Sequence, residues 1–273
     1  MHQASCTSSQ WTWYISGVKK VLNAASSKKF HTDSGDLSTL MDWVYYHDVL
    51  ARFTLRHWKH DPSSLTLNAT NDWTEVCTHV TVDRIFHASS NTLTTLELLS
   101  EVCDTVAAKP HETMSMQDLD DYRGFLRVLD WRIRSISSSN KGKEDCEATT
   151  IVELYQLAIL VYLNRVSGNL LDQSARTQQY LERAYDMFAT LESCERQFPI
   201  FILGCEARTD EHRKVILDLI ARTGKRSSSR SLNHVKILIL AIWAQDDLAD
   251  RDINYWDKMT GIISRCSILP SLV

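Results

Sequence analysis

The sequence has 273 residues, is 44% hydrophobic, carries a net charge of −4, and contains only 8 glycines and 4 prolines. A chain of this length can bury a large core within one or two domains. The scarcity of turn-forming residues favours long helices, and the acidic balance argues against a surface that grips DNA through its phosphates.

Apolar residues recur at helical spacing along almost the whole chain, and no alternating run is long enough to indicate a strand. Two apolar stripes come first, one over 11–22 and one over 37–58. Asp36, Ser174 and Asp210 are predicted N-caps, because their side chains can accept a bond from a free backbone N–H. The pattern predicts further helices, in chain order, at 93–106, 119–136, 150–166, 175–194, 198–207, 211–222, 232–247 and 253–266.

The two most apolar segments, 151–163 and 235–244, are predicted to lie inside the helical array. The first is shorter than the roughly 20 residues that span a bilayer, so we expect a soluble chain without a membrane segment. Together the segments predict an all-α fold over 1–273, a single domain built as an irregular multi-helix array of about ten helices. Three polar stretches are predicted loops, at 61–71, 137–150 and 223–233.

The cysteines form no C-x-x-C pair, their number is odd, and the chain does not start with a signal-peptide pattern. Such a distribution is typical of reduced, buried thiols in an intracellular protein. We therefore expect no disulfide framework from Cys6, Cys77, Cys103, Cys146, Cys194, Cys205 and Cys266.

Residues 41–58, MDWVYYHDVLARFTLRHW, place two tryptophans, two histidines and two aspartates on one predicted helix. Asp48 falls on the apolar stripe four residues before Arg52, so we predict an inward carboxylate in an i, i+4 ion pair. An acid–base pair of His47 and Asp48 is the functional alternative, but neighbouring helical residues point about 100° apart. We therefore favour structural roles. A second, largely aromatic face predicts burial of Trp43, Tyr46, Leu50, Phe53 and His57.

This helix resembles the signature helix of the fungal-specific transcription factor domain, which is the regulatory half of fungal Zn2Cys6 zinc-cluster transcription factors. A second block, FPIFILGCEARTDEHRKVILDLI at 198–220, resembles the same family, and WTWYISGVKKVL at 11–22 is similar to its first helix. The resemblance covers nearly the whole chain. The positions that it marks, which we interpret as structural, are Trp43, His47, Asp48, Arg52, Trp58, Pro199, Glu206, Arg213 and Trp243. We also predict that Glu206 and Arg213 pair across the turn at 209–210.

The resemblance implies a regulatory role in transcription in the nucleus, exerted through protein partners, a homodimer among them, and through a small-molecule effector. The aromatic and polar residues of 41–58 are the expected effector contacts. We expect no catalysis, no direct DNA contact and no membrane contact by this chain. Family members read DNA through an N-terminal zinc cluster, and this sequence contains no comparable run of closely spaced cysteines. Zinc is therefore expected only in a part outside this chain.

Two alternatives remain open. If the native protein starts at Met1, it is a stand-alone interaction module, with a cytoplasmic location. The other alternative is an enzyme on the same scaffold, because DDLAD at 246–250 resembles the Mg²⁺-binding motif of class I terpene synthases. No second Mg²⁺ motif follows it. His57, His60 and Asp61 have the spacing of metal ligands, but we interpret them as a polar helix end that interacts with the helix dipole.

Overall fold

The computed structural model describes residues 11–26, 35–58, 91–106, 115–136, 146–227, 229–249, 253–266 and 269–272. Within these ranges the chain forms ten α-helices and no strand, which confirms the predicted all-α fold. In chain order the helices are α1 Trp11–Ser26, α2 Gly35–His57, α3 Asn91–Thr105, α4 Met116–Arg134, α5 Cys146–Val166, α6 Ser174–Thr190, α7 Gln197–Gly204, α8 Asp210–Arg226, α9 Arg230–Leu248 and α10 Tyr255–Ile263.

The predicted loops differ most from the structure. The prediction for 223–233 is wrong over most of its length, because α8 and α9 occupy all but a short turn of it. The serines there suggest a loop, yet Ser229 caps α9 by accepting the backbone N–H of Leu232. The prediction for 137–150 is wrong at its end, because α5 begins inside it. The loop predicted at 61–71 lies outside the described residues.

The predicted N-caps are also wrong, because each of the three residues lies inside its helix. Thr209 caps α8, and its side chain accepts the backbone N–H of His212 at 3.2 Å. Asp210 is instead the first helical residue, where its charge interacts favourably with the positive end of the helix dipole. Ser174 begins α6, and Asp36 lies inside α2. A capping side chain and a first-turn carboxylate produce similar sequence signals, which explains the shift.

Helix α5 forms the centre of the array. It contacts α3, α4, α6, α7 and α10, and its residues from 157 to 164 are buried on every side. A helix that is apolar all round can satisfy its backbone internally and give every face to neighbours, as its sequence predicts. Helix α7 is similar, because all eight of its residues are buried.

Helix α9 does not have the interior position that its apolar sequence predicts. One face packs in the core through Val235, Ile239 and Trp243. The opposite face leaves Ile237 and Leu240 exposed, by 55% and 40%. Composition alone predicts the same burial for both faces, so only the packing of the neighbouring helices distinguishes them.

Gly204, the last residue of α7, is where α7, α8 and α9 meet. A Cβ at this position would lie 2.8 Å from Cδ1 of Ile239 on α9 and 3.4 Å from Cγ2 of Ile216 on α8. The indole N–H of Trp243 donates to the Gly204 carbonyl at 2.9 Å. A side chain at this position would therefore force the buried Ile239 side chain to shift.

We expect Gly204→Ala to lower the free energy of unfolding by about 1–3 kcal/mol, because the new methyl overlaps a buried isoleucine. Urea unfolding followed by circular dichroism measures the change. Gly124→Ala in α4 is the matched control. A Cβ there meets nothing within 4 Å, so higher helix propensity should stabilise the chain by up to about 1 kcal/mol. Effects of the same sign at both glycines would contradict the packing argument.

Candidate functional site

The buried carboxylate of Asp48 on α2 forms ion pairs with two cationic side chains. Its Oδ2 accepts from Nη2 of Arg52 at 2.7 Å, the i, i+4 pair that the sequence predicts. Its Oδ1 accepts from Nζ of Lys19 on α1, also at 2.7 Å. Sequence analysis missed Lys19, although it lies four residues after the buried Ile15 and therefore on the same helical face. This buried charge cluster fixes α1 on α2.

The two tryptophans of residues 41–58 are only partly buried. Trp43 is 45% exposed, so its predicted burial is wrong, and its ring covers the buried His47 at a centroid distance of 4.1 Å. Trp58 is half-buried. His47 lies against the rings of Trp43 and Tyr46, whereas Asp48 faces its two cations. The two side chains do not converge on one atom, which argues against an acid–base pair.

His57 lies deep in the core, so its interpretation as a polar helix end is wrong. Its Nε2 lies 2.9 Å from Oη of Tyr162 on α5, and its Nδ1 lies 3.2 Å from Oγ1 of Thr260 on α10. Burial, with a smaller contribution from Arg56, lowers the pKa of His57 to about 3. The imidazole is therefore neutral at physiological pH and joins three helices. His60 and Asp61 lie outside the described residues.

The second motif forms two separate ion pairs, and the predicted pair between Glu206 and Arg213 is wrong. Glu206 Oε2 accepts from Nε and Nη2 of Arg165, at 2.9 and 2.8 Å. Arg213 donates to both carboxylate oxygens of Asp247, at 2.8 and 2.6 Å, and its guanidinium lies over the ring of Trp243. The turn after α7 directs Glu206 towards α5, whereas α8 presents Arg213 to α9.

Pro199 is buried in the first turn of α7, where its missing N–H removes no helical hydrogen bond. Among the described cysteines Cys103, Cys194 and Cys205 are buried and Cys266 is half-buried, all as free thiols. Over the same described ranges, none of the helices combines the length and the hydropathy needed to cross a membrane.

Two aspartates of the DDLAD motif are held in ion pairs. Asp246 lies 3.1 Å from Nζ of Lys258 and 2.6 Å from Nη1 of Arg208. Asp247 is bound by Arg213. Asp250 lies outside the described residues, and those that are described form no group of three His, Cys, Asp or Glu side chains suited to a metal ion. A Mg²⁺ ion here would have to displace three cationic side chains.

A cavity of about 300 Å³ opens beside these ion pairs. It lies between the end of α5, the segment after α7 and the beginning of α10. Most of the residues that line it are cationic or polar, and those most relevant to its chemistry are Asn164, Arg165, Glu206, Arg208, Tyr255 and Lys258.

The turn after α5 shapes one wall of this cavity. The N–H of Gly168 bonds to the carbonyl of Arg165 at 3.1 Å, and the N–H of Asn169 bonds to the carbonyl of Asn164 at 2.9 Å. This is the Schellman arrangement, which requires a left-handed residue, and Gly168 supplies it with φ +65°. The glycine therefore ends α5 at a defined point and brings the polar end of the helix to the cavity.

The electrostatics of the cavity favour an anion. Arg165, Arg208 and Lys258 line it, whereas Glu206 is the only carboxylate among the lining residues that the structure describes. Asp246 pairs with two of the cations, so three cationic and two anionic side chains leave one net positive charge. An opposite charge held close to such a group is stabilised, especially where water is partly excluded.

Sequence analysis missed the residues of this cavity, except Glu206. A signal for one of them was present, because Lys258 shares a helical face with the buried Tyr255 and Ile262. Lys258 is itself only 3% exposed. A charged residue on an apolar stripe indicates a buried ion pair. Arg165 gives a similar signal, because it follows the long apolar run of α5.

The family model described as "Fungal specific transcription factor domain" matches residues 2–264. The chain belongs to this family. A relative named "Transcription factor iacI", from Pestalotiopsis fici, is 43% identical over 274 residues, an alignment that covers all of this chain and 68% of that protein. No solved structure matches the chain. The resemblance found in the sequence is thus confirmed, while the roles assigned to the individual motif positions of this fungal domain stay predictions.

Removal of the buried carboxylate tests the charge cluster on α2. We expect Asp48→Ala to lower the free energy of unfolding by about 3–5 kcal/mol, because Lys19 would remain buried without its partner. Urea unfolding measures this loss. Arg132→Ala, which removes the partly exposed pair with Glu101, is the control and should cost less than about 1 kcal/mol. A cost at Asp48 no greater than that of the control would contradict the assignment.

His57 should make the protein less stable in mild acid. Its pKa is about 3 in the folded chain and near 6.5 when unfolded, so the unfolded state binds a proton first as the pH falls. Stability from the neutral imidazole is complete above pH 6.5. It should decrease by about 1.4 kcal/mol per pH unit below that value. Chemical unfolding of wild type and His57→Gln from pH 7 to pH 4 isolates this slope, which the variant should lack.

Proposed function

We propose that this chain is the regulatory domain of a fungal zinc-cluster transcription factor, and that it controls transcription in the nucleus without contacting DNA and without catalysis. The observation that carries the proposal is the family match over residues 2–264. The relative named as a transcription factor, which aligns with the entire chain, supports it further. Zinc would belong to a cluster outside this sequence, and the chain itself would hold no cofactor.

The packing supports a regulatory rather than a catalytic role. Charged side chains of both motifs make contacts between helices: Asp48 on α2 pairs with Lys19 on α1, and Arg213 on α8 pairs with Asp247 on α9. Because such contacts join neighbouring helices, a shift of one helix would be passed on to the next. A ligand or partner would act on it through unequal affinity for two arrangements of the helices. Protein partners, with a second copy of the chain among them, are part of this proposal.

A reporter assay tests the regulatory function. The 273-residue chain is fused to an unrelated DNA-binding domain in a fungal nucleus, and transcription from the matching promoter is compared with that of the DNA-binding domain alone. We expect the fusion to change transcription. The Asp48→Ala fusion should lose this effect because the domain is destabilised, and the Arg132→Ala fusion should keep it. A folded wild-type fusion without any effect would contradict the proposal.

A thermal-shift measurement tests the enzyme alternative separately. The proposal predicts that adding Mg²⁺ to inorganic diphosphate gives no Tm increase beyond that with diphosphate alone, because Asp246 and Asp247 are already paired with cationic side chains. A ligand at a hundred times its Kd would stabilise the chain by about 2.7 kcal/mol, which is readily measured. Stabilisation that depends on Mg²⁺ and disappears in Asp246→Ala would favour the enzyme.

A further inference from the structure

We infer that the cavity at the end of α5 binds a small carboxylic acid that carries hydroxyl groups. Its volume of about 300 Å³ lies at the lower end of the range for small-molecule sites. The space equals the liquid volume of roughly ten water molecules, so a ligand of about ten non-hydrogen atoms matches it. This inference names an effector class for the proposed regulatory function, but binding is measurable on the purified chain whether or not that function holds.

Three buried side-chain atoms belonging to residues of the cavity wall have no hydrogen-bond partner within the described part of the chain. They are Oε1 of Glu206, Oδ1 of Asn164 and Oη of Tyr255, and each of these residues is more than nine-tenths buried. Buried polar atoms are rarely left unpaired, because desolvation without a hydrogen bond costs free energy. Each of three wall residues carries one such atom, and we take these atoms as the groups that a polar molecule bound in the cavity would satisfy.

The hydrogen bonds of the wall determine what kind of group the ligand needs. The Thr177 hydroxyl donates to the backbone carbonyl of Gln173 at 3.0 Å, so it can only accept from Nδ2 of Asn164, at 2.9 Å. This fixes the amide orientation and makes Oδ1 of Asn164 the unpaired acceptor. Nε and Nη2 of Arg165 both donate to Oε2 of Glu206, which leaves Oε1 of Glu206 as a second acceptor. Two acceptors require donors, and hydroxyl groups supply them without adding charge.

Tyr255 supplies the third polar atom. Burial, and then the nearby charge of Glu206, raise the pKa of its phenol well above the ordinary value. The phenol therefore stays protonated and can donate to a ligand oxygen or accept from a ligand hydroxyl.

The charge of the wall requires an anionic group on the ligand. Arg208 is the most accessible cation, with 55% of its side chain exposed, and its partner Asp246 also pairs with Lys258. A ligand carboxylate beside Arg208 and Arg165 would neutralise the net positive charge of the cluster. Arginine suits this role, because its planar fork matches the two carboxylate oxygens. A zwitterionic amino acid offers the same carboxylate but no net charge, so the hydroxy acid fits better.

Isothermal titration calorimetry on the purified chain tests the ligand class. Three hydroxy acids are titrated into the chain: D-gluconate, quinate and shikimate. D-glucitol supplies hydroxyls without a carboxylate, hexanoate supplies a carboxylate without hydroxyls, and L-threonine tests a zwitterion. We expect at least one hydroxy acid to bind with a Kd on the order of 1 mM or tighter, and both partial analogues to bind at least about tenfold more weakly. Binding of none of the three acids, or equal binding of hexanoate, overturns the proposal.

Two tyrosine variants locate the site and distinguish it from a merely structural cavity. Tyr255→Phe removes an unpaired hydroxyl, so the Tm of the free chain should not fall, while the Kd for the bound acid should rise about tenfold. Tyr185→Phe is the matched control. Its buried hydroxyl donates to the Leu203 carbonyl at 3.1 Å and lies outside the cavity wall, so the Tm should fall and the Kd should stay unchanged.

Arg208→Gln removes the exposed cation while Lys258 still pairs with Asp246. We expect this variant to fold and to bind the acid at least about tenfold more weakly, since a charged hydrogen bond is lost. An unchanged Kd in both Arg208→Gln and Tyr255→Phe would place any bound acid elsewhere and overturn the proposal. A Tm loss in Tyr255→Phe equal to that in Tyr185→Phe would also overturn the proposal, because the Tyr255 hydroxyl would then have a structural partner.

Discussion

Helix α5 is buried on every side, and five other helices must therefore each pack an apolar face against it. Helix α7 packs against α5 on one side and α9 on another, which explains why it has no exposed residue. The burial of α5 also explains the position of the polar groups. The first charged residue after the buried stretch of α5 is Arg165, which lies near the end of the helix and pairs with Glu206 on the segment after α7.

Charged side chains inside this array serve as contacts between helices. Asp48 with Lys19 joins α1 to α2, and Asp246 with Lys258 joins α9 to α10. A buried charge is stable only when it is paired and hydrogen-bonded, so each of these contacts specifies one arrangement of two helices. The ion pairs near α10 also border the cavity. A molecule bound there would thus act directly on contacts that set the positions of α5, α9 and α10.

The signature helix α2 and the candidate ligand site lie in different parts of the molecule, whereas Glu206 of the second motif lines the cavity. Polar residues of α2 contact α1, α5 and α10 and so contribute to the core, while effector contacts by residues 41–58 stay a prediction. The cavity instead uses the end of α5, the segment after α7 and the beginning of α10. If the cavity binds the proposed acid, this fungal domain would sense a ligand at a site separate from its signature helix.

The sequence by itself determined the all-α class, the approximate positions of the helices, the interior place of α5 and membership of the fungal family. Each of these depends on local periodicity or on motifs within one segment. The i, i+4 pair of Asp48 and Arg52 was predictable for the same reason, because both residues lie on one helix. Helix ends and caps were less accurate, since Thr209 and Asp210 give overlapping signals.

Only the tertiary structure decided the partners of Lys19, Glu206 and Arg213, the exposed face of α9 and the existence of the cavity. These features depend on which helices become neighbours, and residues far apart in the chain carry no periodic signal that links them. Glu206 and Arg213 look like a pair in the sequence because they are close in it. In the fold, the turn between α7 and α8 sends them to different helices, where Arg165 and Asp247 provide the opposite charges.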